Sequence, residues 1–314
     1  MAIYRSLAEL PADFGPSAIT IGNFDGVHLG HRAVVRQLRL AAYNGGWKST
    51  VLTFDPHPTR VVAPERARKL MTTPEERARL MLELGVQQVL ILPFDAEVSQ
   101  LAPEAFAEEL LARRMGARAV LVGENFRFGC RQAGNVQTLE ALGQRLGFAV
   151  EVLAPVRFRG QIVSSSLIRR LITEGRVTLA ARLLGRPYAI EGRVVSGRGV
   201  GSKQTVPTLN METHAEVIPA AGVYVTRANG ADAVTNIGYR PTFGESEQLT
   251  IETFLLGAAP AEHTERLTLE FLGRLREERK FASPEALKAR ILFDARTAGR
   301  YFRRAKAICR PVTS

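Results

Sequence analysis

No apolar stretch of this chain is long enough to cross a bilayer, and its start, Met1-Ala2-Ile3-Tyr4-Arg5, lacks the extended apolar core of a secretory signal. Cysteine is scarce. Cys130 and Cys309 supply neither a disulfide framework nor the paired spacing of a zinc site. These absences point to a reducing cytoplasm and to no membrane partner. Acidic residues are also in deficit: 42 Lys and Arg against 31 Asp and Glu leave a net charge of +11. That excess favours anionic partners, either nucleic acid or phosphorylated small molecules. Much of it falls late, at Lys288, Arg290, Arg296, Arg300, Arg303, Arg304 and Lys306, with the spacing of a solvated helix face. No nucleic-acid motif accompanies the run, so nucleic acid is not expected among the partners.

What remains is ordinary globular material, 46% hydrophobic and 23% charged. A length of 314 residues favours two domains over one. The first half alternates apolar strand runs (18–21, 50–54, 89–92, 119–122, 148–153) with helical patterns (34–45, 74–84, 103–115, 137–146). Such alternation predicts a parallel sheet covered on both faces, with ligands beyond the carboxyl ends of its strands. Three turns stand there. Gly22-Asn23-Phe24-Asp25-Gly26-Val27-His28-Leu29-Gly30-His31 leads from a strand into a helix, where backbone N–H groups suit phosphate. His28 and His31, one helical turn apart, can face one ligand together. Phe54-Asp55-Pro56-His57-Pro58 reads as a stiff extended turn holding a side chain over a pocket, or as a rigid loop with no ligand. Gly123 to Gly129 contains Asn125, Arg127 and two aromatic rings, which suit a flat heterocycle plus a phosphate. Further on, Ser164, Ser165 and Arg169 at a helix start offer more phosphate donors.

After Gly185-Arg186-Pro187 the texture changes to strand-like runs (188–195, 223–228, 233–237, 249–256, 267–272) separated by turn residues, which predicts an antiparallel barrel. A closing helix is expected over 284–308, with Gly299 placed to bend or break it. The segment Gly197 to Asn210 resembles a P-loop superficially, but Ser202 interrupts the Gly-Lys-Ser/Thr ending, so a Walker site is excluded. A glycine loop carrying Gly197, Gly201, Lys203 and Pro207 can still fold over phosphates, with Thr208 and Asn210 offering oxygens to Mg²⁺. Asn236 to Gly238 reads as a further turn. Glu252 lies in a strand, where a carboxylate is either a sheet-face charge or a base in a pocket.

Gly-x-Phe-Asp-Gly-x-His-x-Gly-His followed by Ser-Ser-x-x-Ile-Arg resembles the nucleotidyltransferase superfamily. With Thr-Phe-Asp-Pro-His-Pro and Gly-x-Asn-Phe-Arg-Phe-Gly between them, the first half resembles the FMN adenylyltransferase module of bacterial FAD synthetases. Gly-Arg-Pro-Tyr, the glycine loop, Pro-Thr-x-Asn, Gly-Val-Tyr, Asn-Ile-Gly and the Glu252 strand resemble, in that order, the riboflavin kinase module fused behind it. Ser202, Gln204, Thr205 and Leu209 depart from that module's loop, and Phe254 stands where many members carry histidine. The resemblance implies a Rossmann-like nucleotidyltransferase domain over 1–184 and an antiparallel β-barrel kinase domain with a C-terminal helix over 185–314. It implies ATP, riboflavin and FMN as substrates, FAD as product and Mg²⁺ as the metal. His28, His31 and Arg169 would act on the ATP phosphates, and Gly22, Asn23, Phe24, Asp25, Gly30, Asn125, Ser164 and Ser165 would bind that ATP. Phe54, Pro56, His57, Pro58 and Phe128 would meet the flavin. In the kinase module Glu252 would be the base, Asn236 would join the ATP site, and Thr208 and Asn210 would hold the metal. Two other readings stay open: an FMN adenylyltransferase with a degenerate flavin-binding barrel, and a basic nucleic-acid-binding protein. Weak homo-oligomerisation is also left open.

Overall fold

The computed structural model describes residues 1–195, 208–241, 247–257, 265–279 and 281–308. By packing, the chain divides into two compact units, Met1–Ser165 and Ser166–Ser314.

The first unit runs β1 (Ala2–Tyr4), β2 (Ser17–Ile21), α1 (Leu29–Gly45), β3 (Lys48–Asp55), α2 (Pro58–Val62), α3 (Pro74–Glu83), β4 (Gln88–Pro93), α4 (Ala96–Gln100), α5 (Pro103–Ala105), β5 (Ala117–Gly123), α6 (Val136–Leu146) and β6 (Ala149–Leu153). Helix α5 continues as a π-helical stretch, Phe106–Arg114. A small hairpin, β7 (Arg157–Phe158) and β8 (Gln161–Ile162), follows. The six-stranded sheet has the order β1-β4-β3-β2-β5-β6, and every pairing is parallel. Its strands are apolar runs because both faces are covered. Ile19, Ile21, Leu52 and Leu90 pack with Phe106, Leu110 and Leu139 on one side, while Ala18, Val51, Val89 and Leu121 pack with Val35, Leu38 and Ala78 on the other. The helix stops are local. Gly46 adopts φ 66° after α1, and Thr73 caps α3 by accepting from the Glu76 N–H, with Pro74 as the first helical residue.

The chain goes from β2 outward to β3 and β4, then returns to place β5 on the opposite side of β2. The boundary between β2 and β5 is thus the topological switch point, where an open parallel sheet offers a crevice. The turn after β2 begins at Gly22 and the loop after β5 carries Asn125. The expected extended turn at Asp55 to Pro58 is corrected: Pro58 opens the short helix α2, and His57 caps it by accepting from the Thr59 N–H at 3.3 Å.

The second unit contains α7 (Ser165–Thr173), α8 (Val177–Leu184), β9 (Tyr188–Val195), β10 (Leu209–Glu212), β11 (Gly222–Ala228), β12 (Ala231–Pro241), β13 (Glu247–Leu255), β14 (Arg266–Arg276) and α9 (Pro284–Ile308). The strands close a barrel in the order β10-β13-β12-β11-β14-β9. Inside it, the fully buried hydroxyls of Thr226, Thr235 and Thr253 form a ladder with spacings of 2.8 and 3.0 Å. Outside it, Val223, Val225 and Val234 pack against Ala298 and Phe302 of α9. Three expectations change here. Leu209 and Asn210 belong to strand β10 rather than to a loop, Asn236 to Gly238 lie within β12 rather than in a turn, and α9 runs unbroken through Gly299. Packing of α9 on the barrel outweighs the weak helix preference of one glycine, worth about 1 kcal/mol. Helix α8 joins this unit by packing, with the Thr178 hydroxyl donating to the Leu272 carbonyl at 3.1 Å.

Candidate functional sites

The turn after β2 is built around two imidazoles. His28 caps α1: its Nδ1 accepts from the His31 N–H, and the His31 Nδ1 accepts from the His28 N–H, each at 3.4 Å. An acceptor Nδ1 leaves the proton of a neutral imidazole on Nε2. The two rings stack at 3.6 Å with an interplanar angle of 17°. Gly30 leaves them room, since a Cβ there would lie 3.0 Å from His28 Cε1 and 3.1 Å from its Nδ1. Phe24 is buried and meets His31 edge-on at 5.1 Å, so its ring props the pair.

Asp25 points inward rather than toward the crevice. It is 3% exposed, and its Oδ1 accepts from the N–H groups of Met71 and Thr72 and from the Thr72 hydroxyl. The Gly26 N–H donates to that same hydroxyl at 3.0 Å, and the Ser165 hydroxyl donates to the Asp25 carbonyl at 2.9 Å. Arg77 of α3, only 1% exposed, donates through Nη1 to the Asn23 carbonyl. Burial pulls its pKa down, opposed by the nearby charges of Asp25 and Asp55. Sequence reasoning missed Arg77 because nothing in its helical pattern distinguishes it from a surface arginine.

Of the residues expected at the flavin, Phe54 and Phe128 are core residues: Phe54 packs edge-on to Phe94, and Phe128 stacks on Phe126 at 5.5 Å. Both rings belong to the hydrophobic core cluster of this unit. Pro56 is exposed, and His57, Pro58 and Phe126 are half-buried. Asn125 is exposed beside them in chain order, and Ser164 is half-buried. Arg169 lies one turn into α7 from Ser165.

In the second unit, strand register brings three polar residues into one row. Asn210 of β10 stands opposite Glu252 of β13, and Glu252 stands opposite Asn236 of β12. Directly paired residues share a face. Thr253 is in the buried ladder, so Glu252 faces outward, and Phe254 follows it on the same face. Phe254 lines a cavity of about 720 Å³ with Leu256 and with Leu292, Phe293, Arg296 and Arg300 of α9. The basic helix expected to be only solvated thus supplies a wall. Gly197, Gly201, Lys203 and Pro207 lie outside the described residues, as does the departure at Ser202 to Thr205. Among the described residues no helix is long and apolar enough to cross a membrane.

Family models match in the same order as the two units: FAD synthetase over residues 10–167 and riboflavin kinase over 184–302. The bifunctional riboflavin kinase/FMN adenylyltransferase of Pseudomonas fluorescens is 36% identical over 302 residues, covering 95% of this chain and 97% of its own. The chain belongs to the bifunctional riboflavin kinase/FMN adenylyltransferase family. The Escherichia coli K12 protein of that name is 33% identical over 95% of this chain and 96% of its own, and the Listeria monocytogenes protein 33% identical over 90% and 92%. A solved structure titled macrolide-efflux protein, from Streptococcus pneumoniae, matches with a TM-score of 0.83 at 25% identity, covering 95% of this chain and 98% of its own. Rossmann-like sheet, closed barrel and C-terminal helix are therefore the family's architecture in this chain.

Proposed function

We propose that this chain makes FAD from riboflavin in two steps, phosphorylation to FMN and then adenylylation, with residues 1–184 carrying the second and 185–314 the first. The observation that carries adenylyl transfer is the stacked His28–His31 pair at the switch point of a parallel sheet. An oxygen of the FMN phosphate attacks the α-phosphorus of ATP, and pyrophosphate leaves with its bonding electrons. The nucleophile is already an anion, so the site needs positioning and charge stabilisation more than a base. The two imidazoles suit the charge that develops at the α-phosphate. Gly22, Asn23 and the N-terminus of α1 would receive the triphosphate, and Ser164, Ser165 and Arg169 would add donors to it. Asn125 would address the nucleotide, while Pro56, His57 and Pro58 would meet the flavin.

In the barrel, Glu252 would take the proton of the terminal ribityl hydroxyl as its oxygen attacks the γ-phosphorus and ADP leaves. The row Asn210–Glu252–Asn236 supports this, because it sets a carboxylate between two carboxamides on a face continued by Phe254 and the α9 cavity. The cavity's phenylalanines and leucines suit the flat rings of riboflavin, and its arginines suit anionic groups. The carboxamides and carboxylate of this row, and the Thr208 hydroxyl just before β10, are hard oxygen donors, the kind that Mg²⁺ prefers. Thr208 and Asn210 would hold the ion, which when bound neutralises charge on the ATP phosphates. Asn236 and the 197–207 segment would serve ATP in the same site. A cytoplasmic location and small-molecule substrates are in keeping with this chemistry.

Paired variants test the division of labour. Glu252→Ala should abolish FMN formation from riboflavin while FAD formation from supplied FMN continues. His28→Ala should do the reverse and stop pyrophosphate release. Either variant leaving its own step intact would remove that residue from the mechanism.

A further inference from the structure

The turn after β2 contains two non-glycine residues in the left-handed region, Phe24 at φ 49° and Val27 at φ 42°. Such conformations persist only where the surroundings over-determine them. Much of the surroundings here is one segment, Met71 to Arg77, which holds the turn at Asn23, Asp25 and Gly26. The Asp25 carboxylate accepts from the Met71 and Thr72 N–H groups, the Gly26 N–H donates to the Thr72 hydroxyl, and the Asn23 carbonyl accepts from Arg77 Nη1. The Thr53 hydroxyl also donates to that carbonyl, at 3.4 Å. A carbonyl and the N–H of the same trans peptide point in opposite directions. With the Asn23 carbonyl held toward buried Arg77, the Phe24 N–H is turned the other way.

We propose that Arg77, with Thr72, is a positioning residue for adenylyl transfer: it pins the Asn23–Phe24 peptide so that the Phe24 N–H faces the ATP phosphates. This rests on the adenylyltransferase reading of the first unit. Arg77 Nε and Nη2 have no hydrogen-bond partner in this structure although the side chain is 1% exposed. Its Nη1 serves the Asn23 carbonyl and, at 3.5 Å, the Thr53 hydroxyl, with the charges of Asp25 and Asp55 nearby; burying a guanidinium with its other donors unmade is costly as a purely structural device. Its charge also polarises the peptide it holds, which strengthens the outward donor.

The test uses the full chain, in which riboflavin phosphorylation by the second unit controls for the amount of protein and an unchanged KM for FMN controls for folding of the first unit. Arg77→Met should raise the KM for ATP in FAD formation and lower kcat, together by roughly 10- to 100-fold in kcat/KM, with the KM for FMN unchanged. Arg77→Lys should restore most of the loss. Thr72→Val, a milder variant, should shift the same constants in the same direction and covers the case in which Arg77→Met does not fold. In the wild type, the Phe24 amide resonance should move on titration with ATP, and this movement should be lost in Arg77→Met or, if that does not fold, shrink in Thr72→Val. Unchanged constants, or KM values for ATP and FMN that rise together, would overturn the proposal. A wild type that forms FMN but no FAD would instead refute the activity reading, and the amide titration would still decide the clasp: a Phe24 resonance indifferent to ATP overturns it.

Discussion

Gly30→Ala separates the stability of the first unit from its chemistry. Within a helix, Gly to Ala ordinarily stabilises by about 0.5–1 kcal/mol. At Gly30 the new Cβ would sit 3.0 Å from His28 Cε1 and 3.1 Å from Nδ1, so the ring must give by a few tenths of an ångström. His31, stacked on it at 3.6 Å, limits how that ring can move. The ring must therefore turn or slide, and the mutual capping bonds at 3.4 Å are already near the limit of a hydrogen bond. Loss of an N-terminal cap is worth about 0.5–2 kcal/mol, so the two stability terms nearly cancel and Tm should change by only a few degrees. Catalysis is less forgiving, because misplacing a catalytic group by about 1 Å can lower the rate by about 100-fold. We expect FAD formation from FMN to fall between about 10- and 100-fold, with FMN formation from riboflavin unaffected. Chromatographic separation of the flavins after timed incubation reads both rates in one sample. Full FAD formation with normal Tm would refute the argument that the ring pair must keep this geometry.

Two predictions concern the barrel. Thr235 stands at the centre of the hydroxyl ladder, and Thr235→Val leaves Thr226 and Thr253 each short of a buried partner. The barrel's unfolding free energy in urea should fall by about 1–3 kcal/mol, and Thr235→Ser should recover part of it. Tyr224, fully buried with its hydroxyl on the Ala220 carbonyl, has its pKa pushed up to about 12 by burial. The folded state thus keeps a proton that the unfolded state releases near pH 10. Its stabilising effect is complete below that pH and declines as pH rises toward 12, by on the order of 2–3 kcal/mol. Urea midpoints between pH 9 and 11 should show the decline in wild type and a flatter profile in Tyr224→Phe; identical slopes would contradict it.

Much of this was legible in the residues because local patterns carry it. Doubly covered parallel strands read as apolar runs such as Thr50 to Phe54, and the His28–His31 spacing declares a shared helix face. What was not legible depends on tertiary partners. β10 reads Leu-Asn-Met-Glu after Pro-Thr, a loop-like stretch, and becomes a strand only because β9 and β13 pair with it. The row Asn210–Glu252–Asn236 exists only in that register. Asp25 looks like a ligand residue until Met71 and Thr72, 46 and 47 positions away, claim its carboxylate. That Phe54 and Phe128 belong to the core cluster shows only in the fold.

The central claim is that both reactions occur in this one chain, and the direct measurement starts from riboflavin. Incubated with riboflavin, ATP and Mg²⁺, the purified protein should accumulate FMN and then FAD, with one ADP and one pyrophosphate released per FAD. FAD from supplied FMN but nothing from riboflavin would contradict the kinase half. No flavin product from either would contradict the account as a whole.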